Sequence, residues 1–480
     1  MDASLALAVS VPLIGGLLAT ALPKRAQGLG LLASVATVLV VGWVMAGVWQ
    51  QGSLHAELGG WAAPLGIALA ADGLSAALLG MAALVALGVG IYASGYFRSA
   101  DADRHFWPLW LLLWAALNGL LLAADLFNIY VTLELLGLTA AALGALTGTV
   151  DAVRANLRYL LVGLLGSMTY LLGVALVYTS YGTLDLGLLS NALEPGPVAA
   201  TALVLMTAGL ALKAALFPLH FWLPPAHANA PAPVSAALSA LVVKAAFYLI
   251  LRLWLDVFAP VVTPSAAGLM GMLGALAVIW GSWRALRAER LKLLAAYSTV
   301  AQIGYLCLFL PLLQALPPGA ERDDLFVALV LMALTHGLAK AGLFLAAGLV
   351  QRSAGHDRID DLGGTAQHMP ATTFTIALAG TALIGLPPSG SFVGKWILMT
   401  SALESGQWWW ILVIAIGTLL AAAYVFRVLS RAFNLEPTPR SFVTQARTEV
   451  PALLLALTSV AVLGLAADPL WRLLGAGGGA

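Results

Sequence analysis

Six ionisable residues lie deep inside apolar runs of the chain: Glu134, Lys213, Lys244, His336, Lys340 and Lys395. Amines, an imidazole and a carboxylate are groups that take up and release protons, and little else in these runs carries chemistry. Snorkelling toward water is the ordinary explanation for a lysine in such a setting. Lys244 tests it, because about ten residues separate it from either end of its run, roughly 15 Å of helix, more than a four-carbon stem covers. Lys213 is similarly central, and Lys395 follows a proline break by seven residues. A charge at such depth costs roughly 2.5–3.5 kcal/mol on the insertion scale. One acid facing one base, Glu134 and Lys213, would be explained equally well by an ion pair that locks two helices. The remaining lysines have no acid of their own at that depth, and this asymmetry favours a relay over structural pairing.

Spacing adds detail. His336 and Lys340 are four residues apart and share a helix face, so a proton can pass between them directly or through water. His220 and His227 flank a break and are read as mouth or interfacial residues. Asp72 and Asp125 are read as solvated span ends. Tyr297, Ser298, Thr299 and Gln302 can hold water or serve as polar glue between helices. Gly28-x-Gly30-x-x-Ala33 and Gly88-x-Gly90-x-x-Ala93 imitate a dinucleotide fingerprint, but they sit in apolar runs with no preceding strand and are read as packing faces.

The elements that must position these groups follow from composition. The chain has 480 residues, 61% of them hydrophobic and 9% charged, with a mean hydropathy of +0.95. Soluble domains carry about 25% charged residues, so this chain is an all-α integral membrane protein without room for a soluble catalytic domain. At about 20 residues per crossing, fourteen transmembrane helices are expected. The first is read as a retained helix and not a cleaved signal, because no basic segment precedes it. Net charge is +1, which argues against nucleic acid, and the single Cys307 supports no thiolate cluster, so neither a cofactor nor a metal is expected. Sixteen of the 23 Lys and Arg residues, Lys292, Arg98 and Arg440 among them, fall in loops after odd-numbered spans; Arg252, Arg322 and Arg472 fall on the other side. Positive charge marks the cytoplasmic side, so both termini are expected to be non-cytoplasmic.

Two spans are interrupted by proline, span seven at Leu216 to Pro225 within 198–222 and beyond, and span twelve at Gly385 to Ser391 within 371–403. Proline removes a backbone donor and clashes with the preceding turn, so each should be two half-helices. The breaks are five spans apart, and an odd offset reverses the crossing direction. This predicts inverted five-helix repeats: residues 1–106 hold spans one to three, 107–254 the first repeat (spans four to eight), 265–429 the second (nine to thirteen), and 450–480 span fourteen.

At these residues the chain resembles the antiporter-like subunits shared by Mrp-type sodium/proton antiporters, respiratory complex I and membrane-bound hydrogenases. The resemblance runs from span three through span thirteen. It is carried by Asn128-Ile129-Tyr130-Val131-Thr132-Leu133-Glu134, Leu212-Lys213 through Pro218-Leu219-His220-Phe221-Trp222-Leu223-Pro224, Ala232-Pro233-Val234-Ser235, Ala296-Tyr297 through Gln302-Ile303-Gly304-Tyr305, His336-Gly337-Leu338-Ala339-Lys340, and Gly385-Leu386-Pro387-Pro388 with Phe392-Val393-Gly394-Lys395. Lysine at 395 and the segment from Gly59 to Asp72 are most similar to the D-type Mrp subunits; one complex I subunit type has glutamate at the former position. The chain also ends soon after span fourteen, without the lateral helix of the largest complex I member.

The resemblance implies a proton-translocating subunit in a bacterial inner membrane, with Glu134, Lys213, Lys244, His336, Lys340 and Lys395 as the relay and other membrane subunits as partners. In this scheme Glu134 holds Lys213 protonated until the two separate, because burial disfavours a charged amine and a nearby carboxylate favours it. The proton then passes toward Lys244, His336 and Lys340 and leaves through Lys395. Three rivals stand beside an Mrp-type Na+/H+ antiporter: the same relay in a redox-driven complex I or hydrogenase, a self-contained solute carrier binding at the broken helices, and an inert scaffold of buried pairs.

Overall fold

In the computed structural model the described residues are 3–64, 66–97, 100–434 and 446–475; Arg98 and Arg440, counted above with the basic loops, lie outside them. The chain opens with α1 (Ala3–Ala21) and α2 (Ala26–Gln51), followed by β1 (Leu54–Leu58) and β2 (Ile67–Ala71). These strands pair antiparallel, Leu54 opposite Ala71. The hairpin is a departure from an all-helical expectation; it sits between spans, where the backbone has no bilayer forcing it into helix.

The first half of the bundle comprises α3 (Gly73–Tyr96), α4 (Ala100–Leu122), α5 (Leu126–Gly144), α6 (Val150–Tyr181), the short α7 (Leu186–Ala192), α8 (Pro197–Lys213), α9 (Leu223–Asn229), α10 (Ala232–Ala237) and α11 (Val243–Leu251). The second comprises α12 (Pro264–Leu286), α13 (Leu291–Cys307), α14 (Phe309–Ala315), α15 (Ala320–Ala354), α16 (Thr365–His368), α17 (Pro370–Ile384), α18 (Gly390–Glu404) and α19 (Trp409–Phe433); α20 (Ala446–Leu457), α21 (Leu463–Leu465) and α22 (Asp468–Gly475) close the chain. Among the described residues, twelve helical stretches are long and apolar enough to cross a membrane, which makes the chain a multi-pass membrane protein. Two shorter apolar helices, α8 and α17, fall where the interrupted spans were expected. Side chains do the capping that water cannot do in a bilayer: Asp72 accepts from Ser75 N, Asp125 from Phe127 and Asn128 N, and Ser389 from Phe392 N.

The breaks differ in their chemistry. After Lys213 the backbone turns through Ala215, whose φ is +54°, and the Phe217–Pro218 peptide is cis. Helix resumes at Leu223, so Pro224 and Pro225 are not part of the interruption; they occupy the first turn of α9, where a missing N–H costs nothing. The second break turns at Gly385, with φ +82°, and the Pro387–Pro388 peptide is cis. A side chain at 385 would meet the stem of Lys395, with Cβ 2.9 Å from Cδ. Glycine is therefore needed there both for backbone and for space.

Two changes to the span boundaries matter for the site. Span eight does not stop at Trp254 with Arg252 in a loop: its backbone widens into π-type turns at Leu238–Val242 and Arg252–Val257 and stays helical to Val257. The extra turn draws Arg252 into the protein. α15 is also longer than its apolar run, 35 residues or about 52 Å, and it packs against α3, α10, α13, α17, α18 and α20. It is the central post of the second half. Close approaches elsewhere use small residues. A Cβ on Gly209 would overlap Gly166 O between α8 and α6, and one on Gly304 would lie 2.5 Å from Gly274 O between α13 and α12. Gly30 and Gly88, from the discarded fingerprints, pack on Trp107 and Leu455.

Candidate functional site

Glu134 projects from the middle of α5 toward Lys213, the last residue of α8. Their Oε1 and Nζ atoms are 3.3 Å apart, and the side chains are 17% and 9% exposed. Lys213 also reaches Leu133 O at 3.5 Å. The position suits an ammonium twice over, since the carbonyl end of a helix carries partial negative charge and Gly137 leaves room beneath Nζ. The break orients the pair: Leu216 N donates back to Ala211 O at 2.9 Å, and Trp222 Nε1 donates to Leu212 O at 2.9 Å. Both ends of the interruption are thus tied to the turn that bears the lysine.

Lys244 and Lys340 are 3% and 0% exposed, and a ladder of oxygens on α13 joins them. Lys244 Nζ donates to Ser239 O at 2.8 Å, across the widened turn of its own helix. Ser239 Oγ and Thr299 Oγ1 are 2.7 Å apart, Thr299 Oγ1 donates to Ala295 O at 3.0 Å, and that carbonyl accepts from Lys340 Nζ at 2.6 Å. Lys340 Nζ also donates to Ser298 Oγ. Two amines on different helices therefore share one run of hydroxyls, and hydroxyls both accept and donate, as a proton wire requires. With Ser298→Ala and Thr299→Val combined, proton-coupled transport in vesicles carrying the assembled complex is expected to slow about tenfold or more. An unchanged rate would mean that these hydroxyls only join helices.

Lys395, on α18, is 4% exposed. Its Nζ donates to Ile384 O at 2.9 Å and Thr418 Oγ1 at 3.0 Å and stands 4.2 Å from the centre of the Tyr305 ring. Tyr305 is seven residues beyond Ser298, on the same face of α13 two turns along. Gln302, between them, donates to Leu383 O at 2.9 Å, beside the carbonyl that holds Lys395. Ser298, Thr299 and Gln302 thus lie between the two lysines, as span-ten residues available to water should. Tyr297 does not belong with them: it is turned to Arg284, whose Nη2 donates to its hydroxyl at 3.0 Å.

Some expected contacts are missing. Among the described residues no hydrogen bond joins Lys213 to Lys244. His336 shares a face with Lys340 but does not bond to it, and both of its ring nitrogens are buried without a hydrogen-bond partner. His336 is 1% exposed and feels the charges of Lys244 and Lys340.

Two residues read otherwise from the sequence join the site. His227 is neither a mouth nor an interfacial residue: it is 0% exposed, stacks on Phe344 with ring centres 4.8 Å apart, and has both nitrogens unpartnered. It feels the charges of Lys340, Lys292 and Lys244. Lys292 is not a solvated loop lysine. It is 2% exposed, and its Nζ donates to the carbonyls of Ala230 and Ala228 just after His227. Arg290 Nη2 donates to the same Ala228 carbonyl at 3.2 Å, and Arg290 pairs with Asp357 at 2.8 Å. A signal was present, since Lys292 already lies inside the apolar run that opens at Leu291. His227→Phe keeps a ring for the Phe344 stack but has no proton site, and it is expected to slow proton-coupled transport about tenfold or more; a wild-type rate would leave His227 as packing.

His220 stays near the first break, 9% exposed, its ring 5.5 Å from that of Phe217. Asp125 caps α5, as a span end should. Asp72 is more than a solvated end, since besides capping α3 it forms an ion pair with Arg252.

Residues 123–421 match the family described as NADH:quinone oxidoreductase/Mrp antiporter, transmembrane. The chain belongs to this family. The antiporter-family chain is 37% identical over 440 residues to the N subunit of an NADH-quinone oxidoreductase from Desulforudis audaxviator, covering 90% of this chain and 84% of that one. It is 28% identical over 449 residues to the D subunit of a Na(+)/H(+) antiporter from Alkalihalophilus pseudofirmus, covering 92% and 88%. Its fold is similar to a chain of the membrane-bound sulfane sulfur reductase, an archaeal respiratory membrane complex, with TM-score 0.90 and 28% identity over 99% of this chain and 96% of that one. It is also similar to a chain of the Mrp complex from Dietzia sp., with TM-score 0.88 and 25% identity over 100% and 97%. These relatives and neighbours are parts of multi-subunit membrane complexes.

Proposed function

We propose that this chain is the proton-translocating, antiporter-like subunit of a multi-subunit Mrp-type antiporter that exchanges a monovalent cation, Na+, for protons. The observation that carries the reading is the row of buried amines, Lys213, Lys244, Lys340 and Lys395, with one carboxylate, Glu134, at one end and the α13 hydroxyl ladder between the middle and the other end. Glu134 and Lys213 form the loading pair. While they touch, the ammonium is favoured; when α5 and the broken α8 move apart, burial favours release. Water carries the proton to Lys244 across the gap that no direct bond spans. The ladder then links Lys244 to Lys340, with His336 and His227 beside it as neutral acceptors, and Tyr305 and Gln302 lead to Lys395. Lys292, His227 and the carbonyls between them offer a way in from the cytoplasmic side.

In this reading the two broken spans belong to inverted repeats, spans four to eight and nine to thirteen of fourteen, and both termini are non-cytoplasmic. The similar packing of α6 on α8 and α12 on α13 through glycines, and the proline-bearing turn in each break, support the repeat. The bilayer is the bacterial inner membrane and the partners are further membrane subunits. A lysine at 395 and the similarity to a Na(+)/H(+) antiporter D subunit over 92% of this chain support the Mrp assembly. A second reading is favoured by the 37% identity to the N subunit of an NADH-quinone oxidoreductase: the same relay driven by electron transfer in neighbouring subunits. Isolating the native complex and identifying its companion chains tests the two. Small membrane subunits with no redox carrier are expected; iron-sulfur, quinone-site or nickel-iron subunits would replace the first reading by the second.

A further inference from the structure

Lys244 has a second neighbourhood that the relay does not use. One turn along its helix is Tyr248, whose hydroxyl donates to Leu121 O at 3.0 Å and accepts from Arg252 Nε at 3.0 Å. Leu121 also lines a void of about 10 Å³ that touches Lys244, about the space of one water. One turn further, Arg252 lies between two carboxylates: Nη1 bonds Asp256 at 2.9 Å and Nη2 bonds Asp72. Burial would raise the Asp72 carboxyl, but the guanidinium and Ser75 bring it down to about 2, so it stays charged and keeps its grip.

Beyond the cluster the protein opens. A cavity of about 320 Å³ is lined by Asp72, Arg252, Asp256, Asp323, Asp324 and Trp471 among others. A second, of about 510 Å³, is lined by Tyr248, Arg252, Asp72 and Asp256 with the β1–β2 hairpin. Both lie at the start of α3 and the end of span eight, the side opposite the basic loops. Arg252 thus separates two polar, open spaces from a buried amine about two helical turns away.

We infer that Tyr248 and the Asp72–Arg252–Asp256 cluster form a gated proton exit from Lys244 to the non-cytoplasmic face, so that this chain can release protons through its own outer mouth. The inference rests on the relay reading, since it takes Lys244 as a proton carrier. In the step, an N–H bond of the Lys244 ammonium breaks and an O–H bond forms on a water held between Nζ and Tyr248, leaving a neutral amine and a hydronium ion that passes to the cavities. Arg252 cannot give up its proton. As a fixed positive charge across the path it repels hydronium arriving from outside, the way a pore-lining arginine excludes protons. The gate opens when Arg252 exchanges carboxylates. Asp323 and Asp324, which line the same cavity, stand on α15, the helix that carries His336 and Lys340, so movement of that helix is coupled to the exit.

The test uses the assembled complex in vesicles loaded with a pH dye, an imposed proton gradient, and no driving cation or redox substrate. Wild type is expected to hold the gradient. Arg252→Gln is expected to dissipate it about tenfold faster, the effect of removing about 1.4 kcal/mol of barrier, and Lys244→Ala in the same chain should restore tightness. Tyr248→Phe, which loses one oxygen and keeps the ring, is expected to slow driven transport without a leak. A tight Arg252→Gln complex in normal amount, or a leak that survives Lys244→Ala, overturns the exit. If Arg252→Gln fails to assemble, an unchanged rate in Tyr248→Phe does so. Normal driven transport in Lys244→Ala alone would instead reject the relay, so the two failures are separable.

Discussion

Replacing Glu134 with glutamine is expected to abolish proton-coupled transport while the complex still assembles. The amide has the size of the carboxylate and can still accept a bond from Lys213 Nζ, now 3.3 Å away, but it no longer favours the charged amine. Lys213→Ala removes the amine itself. Each should lower the rate by about 10²-fold or more, the scale of losing a positioned proton donor or acceptor, read as pH change in vesicles after normalising to assembled complex. The competing view is that the pair merely locks α5 to α8. An ion pair of that kind is costly to break singly and cheap to replace as a unit. A neutral pair, Glu134→Gln with Lys213→Met, should then recover transport lost in the single variants. The relay requires the double variant to remain dead. Recovery in the double variant, or normal transport in both single ones, would reject the relay at its first step.

The legibility of the site in the sequence follows the same physics that places it. All six of the expected residues are charges or an imidazole surrounded by apolar neighbours, and nothing disguises a Lys244 or a Glu134 in such company. The breaks were legible because proline acts through its own ring and missing donor, although Pro224 and Pro225 belong to the start of α9. Boundaries were harder. Hydropathy marks where a run ends only to within a few residues, and a basic residue near that edge passes for a loop residue; Lys292 and Arg252 were both placed so, and both turn inward. His227 suffered from its nearness to the proline break, which gives no hint that α9 folds back over Phe344. The hydroxyl ladder was only half legible. Thr132 and Thr139 bond back to carbonyls of their own helix at 2.8 and 2.7 Å, which is what a helical threonine does by default. Sequence cannot separate them from Ser239 and Thr299, whose hydroxyls meet across two helices only because π-type turns at Leu238–Val242 alter the helix that carries Ser239. The β1–β2 hairpin escaped notice because its strands are short.

Arginine at Lys244, Lys340 or Lys395 is expected to be almost as damaging as alanine, and this separates carrying protons from merely supplying charge. A guanidinium keeps the positive charge and the hydrogen-bond donors but does not deprotonate in proteins. If the amines act by changing protonation state, each Lys→Arg variant should lose about 10²-fold or more of its proton-coupled transport with the net charge of the chain unaltered. Lys340 is the sharpest position, being 0% exposed and bonded to Ala295 O and Ser298 Oγ at the end of the ladder. Lys395→Arg is the gentlest, since the Tyr305 ring 4.2 Å from Nζ offers a guanidinium a face to stack on. Assembly should therefore survive best at 395, and the loss of transport there is the cleanest reading. An inert scaffold of buried charges predicts that Lys395→Arg is silent. A water path lined by fixed charges predicts the same, because the field along it would be preserved. Transport at the wild-type rate in Lys395→Arg would thus move the proton from the amines to the water between them, and the hydroxyls of α13 would have to carry what the lysines do not.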